Sequence, residues 1–172
     1  MKKLIFLLTI LFVSFAANAQ EKINWLSFEE AIEFSKTTQK PFLIDIYTEW
    51  CGWCKKMDAN TYSNKVITEF INTNFYAVKL NGEEKKDIVH NGKTYRYQKR
   101  GRRGYHELAA SLLSNKLSYP ATVFLDKEGK LIQNVPGYHP KEQFEKIIAF
   151  FSNENYKTTQ WELFEKEFES KI

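Results

Sequence analysis

The only two cysteines of the chain, Cys51 and Cys54, stand three positions apart in the stretch FLIDIYTEWCGWCKKM, residues 42–57. Such a pair can clip a metal, staple the fold or work as a reactive dithiol. A structural zinc takes four ligands, usually from two cysteine pairs or from paired cysteines and paired histidines. His90, His106 and His139 are isolated from one another and read as ordinary surface residues, so no metal site is expected. Haem attachment would require His directly after the second cysteine, where Lys55 stands. A staple closing so small a loop removes little unfolded-state entropy. The redox reading fits best, with no cofactor beyond a Cys51–Cys54 disulfide.

Local physics supports it. If a helix begins at about Cys51, Cys54 lies almost one turn on, and residues so spaced have Cβ atoms ~5–6 Å apart. The free N–H groups and positive end of the helix favour a thiolate, which can bring a cysteine pKa from ~8.5 into the range ~3.5–7.5. Lys55 and Lys56 add positive charge nearby, and Glu49 opposes it. Cys51, at the exposed helix start, is expected to be the attacking thiolate; Cys54, a turn deeper, resolves the mixed disulfide. Asp45 interrupts an apolar strand, where a bare carboxylate is costly. The functional reading is a buried acid of raised pKa that exchanges protons with Cys54; the bland one is a strand-edge Asp facing solvent. Lys79, mid-way along the neighbouring strand, can pair with it. Pro120 precedes a strand that must face the site, a junction suited to a cis peptide bond.

Ser27-Phe28-Glu29-Glu30 reads as a capping box opening a helix with Phe28, Ala31, Ile32 and Phe34 inward. Phe42–Tyr47 and Phe75–Leu80 read as buried strands, with a helix between them that is long or broken near Ser63-Asn64. Residues 81–104 interrupt this rhythm, and Asn91-Gly92 marks a hairpin within them. Then follow a helix over Tyr105–Leu113, strands over Ala121–Leu125 and Lys130–Val135 joined at Lys127-Glu128-Gly129, and a helix started by Pro140. Thr159-x-x-Glu162 suggests the cap of a last helix, reaching about Ser170, whose Trp161, Phe164 and Phe168 share one face. With Ile23–Leu26 as a short first strand, the order β-α-β-α-β-(hairpin)-α-β-β-α-α implies an α/β fold. Its central mixed sheet would be flanked by helices, with an inserted hairpin and loop at about 81–104 and a C-terminal helical extension at about 157–172.

Lys2 and Lys3, an apolar run from Leu4 to Ala16 and Ala17-Asn18-Ala19 form the pattern of a signal peptide cleaved after about Ala19, too short for a comfortable membrane span. The expected product is a single domain over 20–172, periplasmic or secreted, with no membrane span after cleavage and no lipid-bearing cysteine. Losing those two lysines takes two from a formal charge of +4, too little to imply nucleic acid. Lys93, Arg96, Lys99, Arg100, Arg102 and Arg103 nevertheless stand together without an intervening acid. They read as a solvated face or as a dock for an acidic protein or an anionic surface.

DIYTEWCGWCK resembles the active-site stretch of thioredoxin-fold proteins, with Asp45 six residues before the first cysteine and Trp50 directly before it. AVKLN, residues 77–81, resembles the family strand that carries the lysine. YPATVFLDKEGKLIQNVPGY resembles the cis-proline strand, the glycine-bearing hairpin (Gly129) and the Gly after the last strand (Gly137). The likeness covers roughly Trp25–Phe151 and is greatest to the secreted group that includes the periplasmic C-terminal domain of the transmembrane thiol–disulfide electron carrier. This chain departs from thioredoxin in Gly52-Trp53 between the cysteines, in Tyr119 before Pro120, in the 81–104 insertion and in the last helix.

The resemblance implies a thiol–disulfide oxidoreductase of protein-disulfide reductase type. Cys51, Cys54 and Asp45 are its catalytic residues. Trp50, Gly52, Trp53, Tyr119, Pro120 and Gly137 face the substrate, and Lys79 and Glu49 support proton transfer. Its partners would be disulfide-containing envelope proteins and an upstream thiol electron donor, and a monomer is expected. Reduction is favoured because neither residue between the cysteines is a histidine that would stabilise the thiolate. An oxidase or isomerase of the same fold, and a partner-binding module, are the alternatives.

Overall fold

The computed structural model describes residues 21–172; the signal peptide read over 1–19 lies outside them. Helix α1 (Phe28–Ser35) opens on the expected capping box, Ser27 and Glu30 bonding each other's backbone reciprocally. Strand β1 (Phe42–Tyr47) leads into α2 (Gly52–Met57), a π-helical turn (Asp58–Tyr62) and α3 (Lys65–Asn74), so the expected break falls where the wider turn hands over at Asn64. Strand β2 (Tyr76–Asn81) follows. Four short strands come next: β3 (Ile88–His90), β4 (Lys93–Tyr95), β5 (Tyr97–Arg100) and β6 (Arg103–His106). The chain closes with α4 (Glu107–Leu112), β7 (Ala121–Leu125), β8 (Leu131–Pro136), α5 (Lys141–Ser152), a 3₁₀ turn (Asn155–Lys157) and α6 (Trp161–Glu167).

The main sheet has the order β2-β1-β7-β8, with β1 parallel to β2 and antiparallel to β7. The period of two sorts its side chains between two cores. Ile44, Ile46, Val78, Leu80 and Val123 meet Phe28, Ala31 and α4 on one face. Leu43, Ala77 and Phe124 meet Met57, Tyr62, Ile67, Ile71 and Phe144 on the other. Asp45 shares the alternation of Leu43, which puts it on the α2 side.

Several expectations are corrected. Ile23–Leu26 forms no strand but a single bridge from Leu26 to Val78, too short to extend the ladder. Phe34 is 51% exposed, stacked on Tyr76 at the sheet margin rather than inside. The insertion holds two hairpins, since Arg100 and Arg103 pair across a second turn at Gly101-Arg102. Tyr105 and His106 are therefore in β6, and the following helix starts only at Glu107. The last helix is shorter than expected and is capped at Gln160 without a side-chain bond; Thr159 does not cap it. Trp161 and Phe164 still pack on Phe150 of α5, and Phe168, beyond the helix, lies 5.5 Å from Phe164. Glu145, buried in α5, accepts bonds from Ser170 Oγ (2.6 Å) and Lys171 N–H (2.8 Å), tying down the tail.

Candidate active site

Cys51 and Cys54 are joined in a disulfide at the start of α2. Cys51 is the N-cap, and its Sγ accepts the Cys54 backbone N–H at 3.0 Å. The expected difference in exposure is absent: Cys51 is 4% and Cys54 3% exposed. A turn closed by Cys51 N–H to the Thr48 carbonyl (3.0 Å) folds Cys51 back against the end of β1. The asymmetry between the sulfurs lies at the helix start, where the Cys54 N–H reaches the N-cap sulfur of Cys51. At Gly52, no atom lies within 4 Å of where a Cβ would stand, so the surface is open there.

Asp45 is buried, which removes the solvent-facing alternative. It sits opposite Lys79 on β2 and Thr122 on β7, and its Oδ2 is 2.6 Å from Lys79 Nζ. Oδ1 is buried without a hydrogen-bond partner among the described residues. Burial raises the Asp45 pKa, and Lys79 opposes the rise only in part. Lys79 also pairs with Asp58. Burial pulls the ammonium pKa down, but the two carboxylates outweigh it and hold Lys79 charged. The rings of Trp25, Tyr47 and Tyr62 stand 4.9, 5.1 and 5.3 Å from Nζ. Burial, with the nearby Asp45 charge, drives the Tyr62 pKa well up; its phenol shares a 3.4 Å bond with Thr122. Glu49 is exposed on the loop before the cysteines; burial raises the Tyr47 pKa and the Glu49 charge adds to the rise, while Lys79 pairs with Asp45 and Asp58 instead.

Trp53, Tyr119, Pro120, Gly137 and Tyr138 line one hollow of about 350 Å³ beside the disulfide. The Tyr119–Pro120 peptide bond is cis, and Gly137 donates its N–H to the Pro120 carbonyl at 2.8 Å. Gly137 has φ +94°, a conformation that side chains strain against. Trp50 and Trp53 are 49% and 57% exposed, large apolar surfaces close to Cys51 in the chain. Trp53 leans on Tyr138 at 5.5 Å, and Trp50 meets the edge of Tyr119 at 5.9 Å.

The insertion reaches this site at two points. The Tyr119 ring lies so close over Gly82 that a Cβ there would be 2.5 Å from its hydroxyl. Gly82 also closes the neck of the insertion, donating to Tyr47 O and accepting from His106 N–H, both at 2.7 Å. At the far end, the Arg103 guanidinium lies 4.0 Å from the centre of the Trp50 ring. His106 is not a surface residue: it is fully buried, caps α4 through Nδ1, and burial lowers its pKa. Sequence reasoning missed Asp58, Tyr62, Gly82, Tyr138 and the placement of Arg103. Only Asp58 carried a signal, lying one helical turn past Cys54.

A profile described as a thioredoxin-like domain matches residues 28–152, and the chain belongs to that family. Disulfide bond reductase DsbH of Chlamydia pneumoniae is 25% identical over 123 residues, 71% of this chain and 67% of that protein. Uncharacterized protein B0495.5 of Caenorhabditis elegans is 29% identical over 72 residues, 41% of this chain; the match spans only 10% of that longer relative. The solved structure of a DsbH oxidoreductase shares the fold, with TM-score 0.56, 18% identity, and coverage of 82% of this chain and 92% of that one. Among the described residues, no helix is long and apolar enough to cross a membrane, and no group of three or more His, Cys, Asp or Glu could hold a metal ion.

Proposed function

We propose that the chain is an exported thiol–disulfide oxidoreductase that reduces disulfides of envelope proteins. In the reduced form the Cys51 thiolate attacks one sulfur of a substrate disulfide. A Cys51–substrate bond forms, and the other substrate sulfur leaves as a thiolate. Cys54, deprotonated by Asp45, then attacks Cys51 Sγ and releases the second substrate thiolate. Two electrons pass to the substrate, and an upstream thiol donor returns the dithiol to its reduced state. Lys79 holds Asp45 in place and Glu49 adds charge at the rim. Trp50, Gly52, Trp53, Tyr119, Pro120 and Gly137 receive the substrate chain, Tyr119 through its backbone.

The observation that carries this reading is the Cys51–Cys54 pair at a helix start, on the same sheet face as a buried acid of raised pKa. The named function of the Chlamydia relative agrees with the reducing direction. One observation favours the oxidising alternative: Arg103 and Lys56 rest on Trp50 and Trp53, the tryptophans next to the cysteines in the chain, and cations near a thiol stabilise its thiolate. Related dithiols span roughly −270 to −120 mV, so a potential near the thioredoxin end supports the reductant and one near the other end the oxidase. The direct test is insulin reduction by wild type and Cys51→Ser with a dithiol donor. Loss of turnover in the variant is expected, and equal turnover would remove the enzyme reading. Export is tested by the N-terminal sequence of the protein recovered from the envelope, expected to begin at Gln20.

A further inference from the structure

Each of the two tryptophans that directly precede a cysteine, Trp50 and Trp53, carries a cation. Arg103, from the tip of the β5–β6 hairpin, lies over Trp50 at 4.0 Å. Lys56, on α2, stands 4.7 Å from the centre of the Trp53 ring and 5.2 Å from that of Tyr138. Neither cation has an ion-pair partner among the described residues; of the six basic side chains from Lys93 to Arg103 only Arg96 has one, Asp87 at 3.4 Å. Stacking on a ring leaves the N–H groups at the edge of the guanidinium free, the fork that binds a carboxylate side-on. Of the nearby acids, Glu84 is engaged by the amides of Lys85 and Lys86.

We propose that Arg103 and Lys56 form a divided anion-recognising rim beside the dithiol, and that the substrates are protein disulfides whose reactive cysteine lies in an acidic segment. The proposal deepens the oxidoreductase reading and rests on it. Because one cation rests on the tryptophan before Cys51 and the other on the tryptophan between the cysteines, carboxylates on both sides of a substrate cysteine would bring its sulfur to the dithiol. Extended chain can approach beside the Tyr119, Gly137 and Tyr138 hollow with its own acids held at the edges. An anionic membrane would instead lie across both tryptophans and cover the disulfide, so an acidic protein segment fits the division of the charge better. Gly104 helps aim the rim: the Tyr97 ring sits where a Cβ of Gly104 would be, 2.2 Å from the Tyr97 hydroxyl, and fixes the strand next to Arg103.

The test uses two disulfide-bridged peptides that differ only in Asp or Lys on either side of the cysteine. Each rate is divided by the same variant's rate on the uncharged 2,2′-dithiodipyridine, so effects on the dithiol itself cancel. Wild type is expected to favour the acidic peptide by roughly tenfold at low salt, and less at physiological salt, as screening requires. Arg103→Glu or Lys56→Glu should remove or reverse the preference, and Arg103→Lys should keep it. Equal rates on both peptides, or a preference untouched by either charge reversal, would overturn the proposal. If wild type reduces neither peptide nor dithiodipyridine, the oxidoreductase reading has failed instead. The rim is then read by the affinity of a cysteine-free acidic peptide for the oxidised protein, followed by tryptophan fluorescence; affinity unchanged in Arg103→Glu sinks it. Arg103-dependent binding to phosphatidylglycerol vesicles without peptide discrimination would assign the rim to a membrane surface and overturn the proposal.

Discussion

Strand β1 carries Asp45 through the core with five of its six residues buried, whereas β5 and β6 carry Arg103 outward with one buried residue between them. The two regions meet at Trp50, which follows β1 by three residues and lies under the guanidinium. The inner region is positioned by the alternation of a buried sheet, so a one-residue slip would move Asp45 to the other face. The outer one is positioned by close approaches: Tyr119 over Gly82, Tyr97 over Gly104, Arg103 over Trp50. Chemistry thus rests on the part of the fold that can move least. Selection rests on a hairpin that can change without disturbing the core.

Variants can pull these regions apart. The largest effect is expected from Asp45→Asn, which should slow thiol–disulfide turnover by about a hundredfold at pH 7 if the carboxylate is the proton acceptor for Cys54. Stopped-flow reduction measures it, and an unchanged rate from pH 6 to 9 would make Asp45 merely structural. Next comes Gly104→Ala, whose new methyl collides with both the Tyr97 ring and the Gln98 carbonyl. Overpacking of this kind costs about 1–3 kcal/mol. Denaturant melts should show the loss, together with a weaker preference for acidic peptides.

Legibility follows the same division. The capping box at Ser27, strands β1, β2, β7 and β8, and the pairing of Asp45 with Lys79 were readable because apolar periodicity and turn chemistry dictate them locally. Arg103 was visible as one of six basic residues, but nothing in its spacing says that it meets Trp50, fifty-three positions earlier. Gly82 and Gly104 carried no signal in the sequence, since a close approach is a property of two segments. Cys51 looked exposed because helix starts usually are; the turn back to Thr48 hides it. Asp58 escaped notice because its partner, Lys79, was already matched with Asp45.

Two smaller effects sharpen the comparison. The folded pKa of Asp45 lies above its unfolded value of about 3.9. Its contribution to stability is therefore fully present below about pH 3.9 and is lost as pH rises through the folded value. Asp58 remains to pair with Lys79 in Asp45→Asn, so the variant should match wild type near pH 3 and melt higher at pH 7. A gap that shrinks with rising pH would contradict the raised pKa. Deleting residues 157–172 strips Trp161 and Phe164 from Phe150 and frees Glu145. The melting temperature should fall by several degrees, with both peptide rates kept. Unchanged melting with a shift from dimer to monomer on a sizing column would make the last helix an interface.

The most direct measurement is capture by Cys54→Ser. With the resolving sulfur gone, a disulfide substrate should remain covalently attached to Cys51, and peptide mapping should find that bond. Cys51→Ser should capture little. Equal capture by the two variants, or attachment at Cys54 alone, would contradict the assignment of Cys51 as the attacking sulfur on which the mechanism stands.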